Sequence, residues 1–192
     1  MEVERHPLKP FLPEGTRLLM LGSFPPAKNR WSMDFFYPNF TNDMWRIFGL
    51  CFYGEKMRFV DEEHKTFRQA DIEQLLRERG IGIYDTATAV IRTQGTAADK
   101  DLQVVEPTNL DTLLARIPQC QAVVTTGEKA TSVFCDHFSI KPPKVGHYVE
   151  FVHASRVLRL YRMPSSSRAY PMKVERKAEY YKPMFEEITV RL

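Results

Sequence analysis

Short apolar runs, each stopped by a turn residue and separated by segments of helical spacing, constrain this chain most. Arg17-Leu18-Leu19-Met20-Leu21 ends at Gly22, Ile81-Gly82-Ile83-Tyr84 follows Gly80, and Ala122-Val123-Val124-Thr125-Thr126 ends at Gly127. Runs of this length without polar alternation are strands buried on both faces. Between them, Phe67 to Arg79 places Phe67, Ile72, Leu75 and Leu76 on one side, with Gly80 as a stop, and Asn109 to Ile117 does the same with Leu110, Leu113, Leu114 and Ile117. A helix from Glu128 to about His137 follows the third run. Two β-rich pieces, Tyr148–His153 and Val157–Tyr161, precede a last helix from about Lys173, which Pro183 is expected to kink or split. Strands alternating with helices imply βαβ units and a mostly parallel sheet covered on both faces.

Such sheets bind ligands at the carboxyl ends of their strands. Here those ends carry Gly22-Ser23-Phe24-Pro25-Pro26, Tyr84-Asp85, Thr126-Gly127 and Met163-Pro164-Ser165-Ser166-Ser167. The segment from Ser23 to about Thr41 is a long loop rich in proline and aromatic residues, and loops of that length in a compact domain are usually functional. A helix should begin after it near Asn42 or Asp43, either of which can cap it. Residues 1–15 are Pro-rich and are expected to wrap the surface, and Gln94 to Asp101 reads as a polar connection.

Composition excludes several classes. With 192 residues, 43% hydrophobic and 27% charged, the chain suits a single folded domain spanning 1–192. No run of about 18 apolar residues spans a membrane, and Met1-Glu2-Val3-Glu4-Arg5 lacks a signal peptide's apolar core. Cys51, Cys120 and Cys135 form no metal-like pairing and read as reduced thiols of a cytoplasmic protein. Cys135, His137, His147 and His153 lie near one another in sequence, but no second pair completes a metal site, so no metal is expected. Net charge is +3, unevenly placed: residues 141–192 hold 11 Lys and Arg against 5 Asp and Glu. A basic final quarter on a near-neutral body is either a face for an anion or a solvated helix face.

The Gly22 loop is neither a dinucleotide fingerprint nor a Walker loop. Taken alone it is an ordinary tight turn, and Pro164–Arg168 alone is a polar loop whose hydroxyls and N–H groups can hold phosphate oxygens. Together they resemble something specific. Gly22-Ser23-Phe24-Pro25 after the first strand and Pro164-Ser165-Ser166-Ser167 after the last resemble the two signature motifs of the uracil-DNA glycosylase superfamily, closest to its hypoxanthine (deoxyinosine)-DNA glycosylase branch. Tyr37-Pro38-Asn39-Phe40-Thr41-Asn42-Asp43-Met44-Trp45, Gly80–Asp85 and Val123–Ala130 resemble further family segments, in the family's order, from about residue 16 to 185.

The resemblance implies a three-layer α/β/α sandwich around a central, mostly parallel four-stranded sheet. It implies a monofunctional DNA glycosylase without cofactor, acting as a monomer on a deaminated base, hypoxanthine or uracil, flipped out of DNA. By position, Asn42 matches a catalytic Asn that orients water, its other reading being a helix cap. Gly22, Ser23, Phe24, Tyr37 and Thr126 match the base pocket, with Tyr37 either stacking on the base or packing. Pro164, Ser165, Ser166, Ser167 and Arg168 match the DNA-gripping loop. Three positions depart from the family pattern: Pro26 and Thr126 replace its Gly and base-reading Asn, and Arg168 replaces a Pro. Threonine cannot make an amide's paired donor–acceptor contact, so the alternative is a catalytically weak or inactive nucleic-acid-binding protein of the same fold. Asp85 reads as a structural residue at a strand end or as a general base.

Overall fold

A computed structural model describes residues 1–94 and 99–189 of the chain. In chain order the elements are β1 (Glu4–Arg5), β2 (Leu18–Gly22), α1 (Met44–Tyr53), β3 (Val60–Asp61), β4 (Thr66–Phe67), α2 (Gln69–Arg79), β5 (Ile81–Asp85) and β6 (Ala87–Arg92). They continue with β7 (Leu102–Pro107), α3 (Leu110–Ala115), β8 (Ala122–Thr126), α4 (Glu128–Phe138), β9 (Tyr148–His153), β10 (Arg156–Met163) and α5 (Val174–Ile188).

The central sheet has the order β5-β2-β8-β10-β9. Its first four strands are parallel, and every residue of β2, β5 and β8 is buried, so both faces are covered. Helix α4 packs on β8 and β2, α2 on β5, and α5 on β10 and α1. Gly80 ends α2 in the left-handed region at φ 67°.

Five strands replace the four expected. Strand β9 was legible as a β-rich piece, but it joins the sheet as an antiparallel edge paired with β10 from Tyr148↔Tyr161 to Arg156↔His153. The hairpin turns at Ala154 and Ser155, both at positive φ (48° and 64°). That is the backbone of a tight hairpin turn built without the Asn-Gly pair that usually announces it.

A second, three-stranded antiparallel sheet, order β1-β6-β7, lies outside the sequence expectation. Part of the anticipated polar connection from Gln94 to Asp101 lies outside the described residues, and Asp99–Asp101 form a short 3₁₀ turn leading into β7. The N-terminal segment does wrap the body, as β1 on β6 and as a bridge from Phe11 to Ile83. Helix α5 runs unbroken through Pro183, so the proline neither splits nor ends it. No helix among the described residues is long and apolar enough to cross a membrane.

Strand register positions the site. Gly22 is level with Asp85, and Met163 with Thr126. Leu21 pairs with Thr125, so all four parallel strands release their loops at one height along one edge.

Candidate functional site

The four loops and the segment before α1 enclose a cavity of about 390 Å³ at this edge. Gly22, Ser23, Phe24, Tyr37, Asn42, Thr126, Ser165, Ser166 and Ser167 all line it. Gly22 and Ser165, 143 positions apart in sequence, therefore meet in one concave site of ordinary ligand-pocket size. Pro164 and Arg168 are not on its wall. The wall also holds Asp85, Asn39, Lys100 and Tyr170, none of which was expected there as a binding residue.

Gly22 forms the floor because nothing larger fits. A Cβ at this position would lie 2.6 Å from Asp85 Oδ1, 3.2 Å from the Tyr37 hydroxyl and 3.8 Å from Thr126 Oγ1. Around it the backbone turns back on itself: Thr86 and Ala87 donate their N–H groups to the carbonyls of Gly22 and Ser23 at 2.8 and 3.3 Å. Pro25 is buried, and its carbonyl accepts from Arg92 Nη2 at 2.6 Å. Trp31 Nε1 donates to the Pro26 carbonyl at 2.8 Å, so the Gly22–Pro26 loop is held from outside the cavity.

Tyr37 adopts positive φ (51°), an unfavourable region for a residue with a side chain. Its hydroxyl is 3.0 Å from Thr126 Oγ1, and its ring meets the buried Trp45 edge to face at 6.0 Å between centroids. Tyr37 is thus half-buried and packed, yet still lines the cavity.

Asn42 likewise has a structural partner and a place on the cavity wall. Its Oδ1 accepts the Met44 N–H at 2.9 Å, which caps the start of α1, although Asp43 is the residue next to the first helical position. Among the described residues Asn42 Nδ2 has no protein partner, while its Oδ1 is spent on the helix and the residue lines the cavity. Arg46 fastens the segment below by donating Nη1 to the Phe40 and Asn42 carbonyls at 2.8 and 2.9 Å. Burial, with Arg168 nearby adding in the same direction, lowers the Arg46 pKa from the ordinary guanidinium value.

The serine loop is fixed by a buried charge cluster. Lys177 on α5 is fully buried and donates to Asp43 Oδ2 at 3.0 Å and to the Ser167 carbonyl at 2.8 Å. Arg168 Nε takes Asp43 Oδ1 at 3.1 Å, the Asp43 N–H donates to the Ser166 carbonyl at 2.9 Å, and Tyr181 donates to the Pro164 carbonyl at 2.6 Å. Within the loop, Ser165 Oγ and Ser167 Oγ accept the N–H groups of Ser167 and Ala169 at 3.1 and 3.2 Å. These local turns leave both O–H groups without a protein acceptor among the described residues, two donors for an anion at the cavity mouth. Arg168 remains 59% exposed at its side chain despite its ion pair, so its outer guanidinium nitrogens face solvent.

Asp85 and His6 form the feature that sequence reasoning missed. Their side chains are 9% and 1% exposed, and His6 Nε2 is 2.6 Å from Asp85 Oδ2. The Asp85 carboxylate also contributes, after burial, to pushing the Tyr84 hydroxyl up to about 12. Asp85 was visible as a strand-end acid; its partner lies 79 residues away in a strap with no signal for a buried histidine.

Among the described residues no cluster of His, Cys, Asp and Glu is arranged to hold a metal. His137 and His153 instead both contact Asp111, at 2.8 and 3.3 Å.

No family model and no curated protein sequence matches the chain. In three dimensions it is similar to the solution structure of a Methanosarcina acetivorans protein described as a "putative uracil DNA glycosylase". Sequence identity is 21% and the TM-score is 0.63, over 97% of this chain and 99% of that one. The two chains share a fold from end to end. That fold is mixed α/β with a mostly parallel central sheet, as the strand order requires.

Proposed function

We propose that this chain is a DNA glycosylase that hydrolyses the N-glycosidic bond of a deaminated base, hypoxanthine or uracil, flipped out of duplex DNA. One observation carries the reading: Gly22, Tyr37, Asn42, Thr126 and Ser165–Ser167, the residues matched to the superfamily's motifs, line a single cavity at the sheet's carboxyl edge. The fold shared with the Methanosarcina protein supports it.

The division of labour follows from the geometry. The O–H donors of Ser165 and Ser167, with the exposed guanidinium of Arg168 outside them, would hold backbone phosphates. Tyr37 and Phe24 offer apolar surface to a base inside. Asn42 would hold a water through its Nδ2 donor edge, leaving the oxygen lone pair free to attack C1′. The C1′–N bond breaks with its electron pair going to the base, the C1′–O bond forms, and the water's proton ends on the departed base. A fixed amide lowers the barrier by position rather than basicity, so modest acceleration is expected from it.

A second reading rests on specific features: Asn42 Oδ1 is committed to the helix cap, Thr126 to Tyr37, and Pro26 contributes no N–H. A site so occupied suits a protein that binds lesion-bearing DNA and cleaves slowly or not at all. Duplexes with a single deoxyinosine, deoxyuridine or deoxyxanthosine, incubated at protein excess and treated with alkali, separate the two. Strand scission at the lesion is the expected result. Absence of scission with all three, alongside salt-sensitive DNA binding, would favour the second reading over the first.

A further inference from the structure

We propose that Asp85, held by His6, is a catalytic carboxylate: its open oxygen takes a hydrogen of the attacking water, and its charge opposes the positive charge that builds on the sugar. The proposal rests on the base-excision reading above and assigns a step which that reading leaves without a residue.

The step needs an acceptor. Asn42 Oδ1 is spent on the Met44 N–H, so Asn42 can give a water a donor and nothing to receive its hydrogen. Asp43, next in sequence, has its oxygens taken by Arg168 and Lys177. Asp85 is the one carboxylate on the cavity wall among the described residues, and its side chain is buried. Its two oxygens differ. Oδ2 is taken by His6 Nε2 at 2.6 Å. Oδ1 has no protein donor among the described residues and stands beside the bare Cα of Gly22, 2.6 Å from where a Cβ would begin. The missing side chain leaves the room that a small nucleophile needs at that oxygen.

His6 sets both direction and charge. The Leu8 backbone N–H donates to His6 Nδ1 at 3.1 Å, so Nδ1 carries the lone pair and Nε2 carries the ring's single hydrogen. The imidazole is then neutral. An imidazolium would cancel the carboxylate; a neutral ring that only donates a hydrogen bond leaves the negative charge to the cavity. The ring cannot swing away, because it stacks on Tyr84 at 4.8 Å and meets Phe24 edge-on at 5.3 Å. His6 is therefore a positioning residue for the acid.

A carboxylate so placed acts twice in the hydrolysis. As the C1′–N bond breaks, its electron pair moves to the base and the sugar becomes cation-like, and a fixed anion in a concave site stabilises that charge more than it would in open water. As the C1′–O bond forms, a water proton passes to Oδ1. The departed base, which left with the bonding pair, then takes that proton. Asp85 ends as a carboxylate, and the products are the free base and the abasic sugar.

The test uses two duplexes that need no turnover. One carries a pyrrolidine in place of the lesion's sugar, a secondary ammonium at neutral pH; the other carries a tetrahydrofuran of the same shape and no charge. Equilibrium binding to the native protein should favour the pyrrolidine duplex by about tenfold or more at equal salt. Asp85→Asn keeps the shape of the side chain, and should bring that ratio close to one and lower single-turnover cleavage of a deoxyinosine duplex by about 10²-fold or more. His6→Ala should shrink the ratio. His6→Gln should restore much of it, because a glutamine amide can accept from Leu8 and donate to Asp85; a ring with a packing role alone would leave the ratio where it is. Equal affinity of the native protein for the two duplexes, or a ratio or cleavage rate unchanged in Asp85→Asn, overturns the proposal, while cleavage at deoxyinosine keeps the glycosylase reading intact. Failure of that reading has a different signature: neither abasic duplex is bound better than an undamaged one and no lesion is cleaved, and this overturns the proposal too.

Discussion

Two buried carboxylates stand within this edge of the molecule, and they are arranged in opposite ways. Asp43 has both oxygens consumed by fixed cations, Arg168 on Oδ1 and Lys177 on Oδ2, and its backbone N–H holds the serine loop. Asp85 has one oxygen held by the imidazole of His6 and the other open to the cavity. A saturated carboxylate joins pieces of structure: it ties α5 and the serine loop to the start of α1. A half-satisfied one, kept in place on its other side, is available to a ligand. Burial is nearly the same in the two places, 3% and 9% exposure at the side chain, so what separates them is the partners they hold and the count of unspent lone pairs.

Substitution should separate them by assay. The largest expected effect is on stability at Asp43. Asp43→Ala leaves the Lys177 ammonium buried with one carbonyl for company, and should cost about 3–5 kcal/mol in urea unfolding. Asp85→Ala strands only the His6 N–H and should cost about 1–3 kcal/mol, with its main effect on binding in the cavity. Equal losses of stability at the two sites would break the comparison.

Next comes the floor between them. Gly22→Ala drives a methyl to within 2.6 Å of Asp85 Oδ1, and displacement of that oxygen should lower lesion cleavage by about 10²-fold with little change in binding to undamaged DNA. Asn42→Ala should lower cleavage by a similar factor of about 10² while its lost cap costs about 1 kcal/mol. Asn42→Asp keeps the cap acceptor and removes the donor edge, so it isolates the chemical contribution in single-turnover kinetics.

Smaller effects sharpen the architectural side. Arg168→Ala should weaken DNA binding at every sequence and reduce the salt slope by about 1. The cysteines belong wholly to structure: burial pushes the Cys51 thiol up to about 12 and those of Cys120 and Cys135 up to about 11. Below these values the thiols stay protonated, so the native protein at pH 8 should react slowly with a chromogenic thiol reagent, and the urea-unfolded chain quickly at all three.

Much of this edge was legible in the sequence because its signals are local. An apolar run ending in glycine, an Asn before a helix and a serine-rich turn after a strand each announce themselves, and parallel topology brings strand ends together. The missing parts depend on distance or on unusual backbone. The edge strand β9 turns through Ala154 and Ser155 at positive φ, where composition gives no turn signal. The small sheet needs β1, two residues long, to find β6. Asp43 reads only as a candidate cap beside Asn42; its buried partner Lys177 lies 134 positions away. His6 sits in a strap that reads as wrapping, and nothing nearby says that its ring is buried against Tyr84.

The central claim is that the cavity above Gly22 takes a deaminated base out of the duplex. Equilibrium binding of a duplex holding one 2′-fluorinated deoxyinosine, whose glycosidic bond resists hydrolysis, tests it without requiring turnover. Binding should be tighter than to the matched undamaged duplex by about tenfold or more at the same salt, with the difference lost in Gly22→Leu. Equal affinity for the two duplexes in the native protein would contradict it.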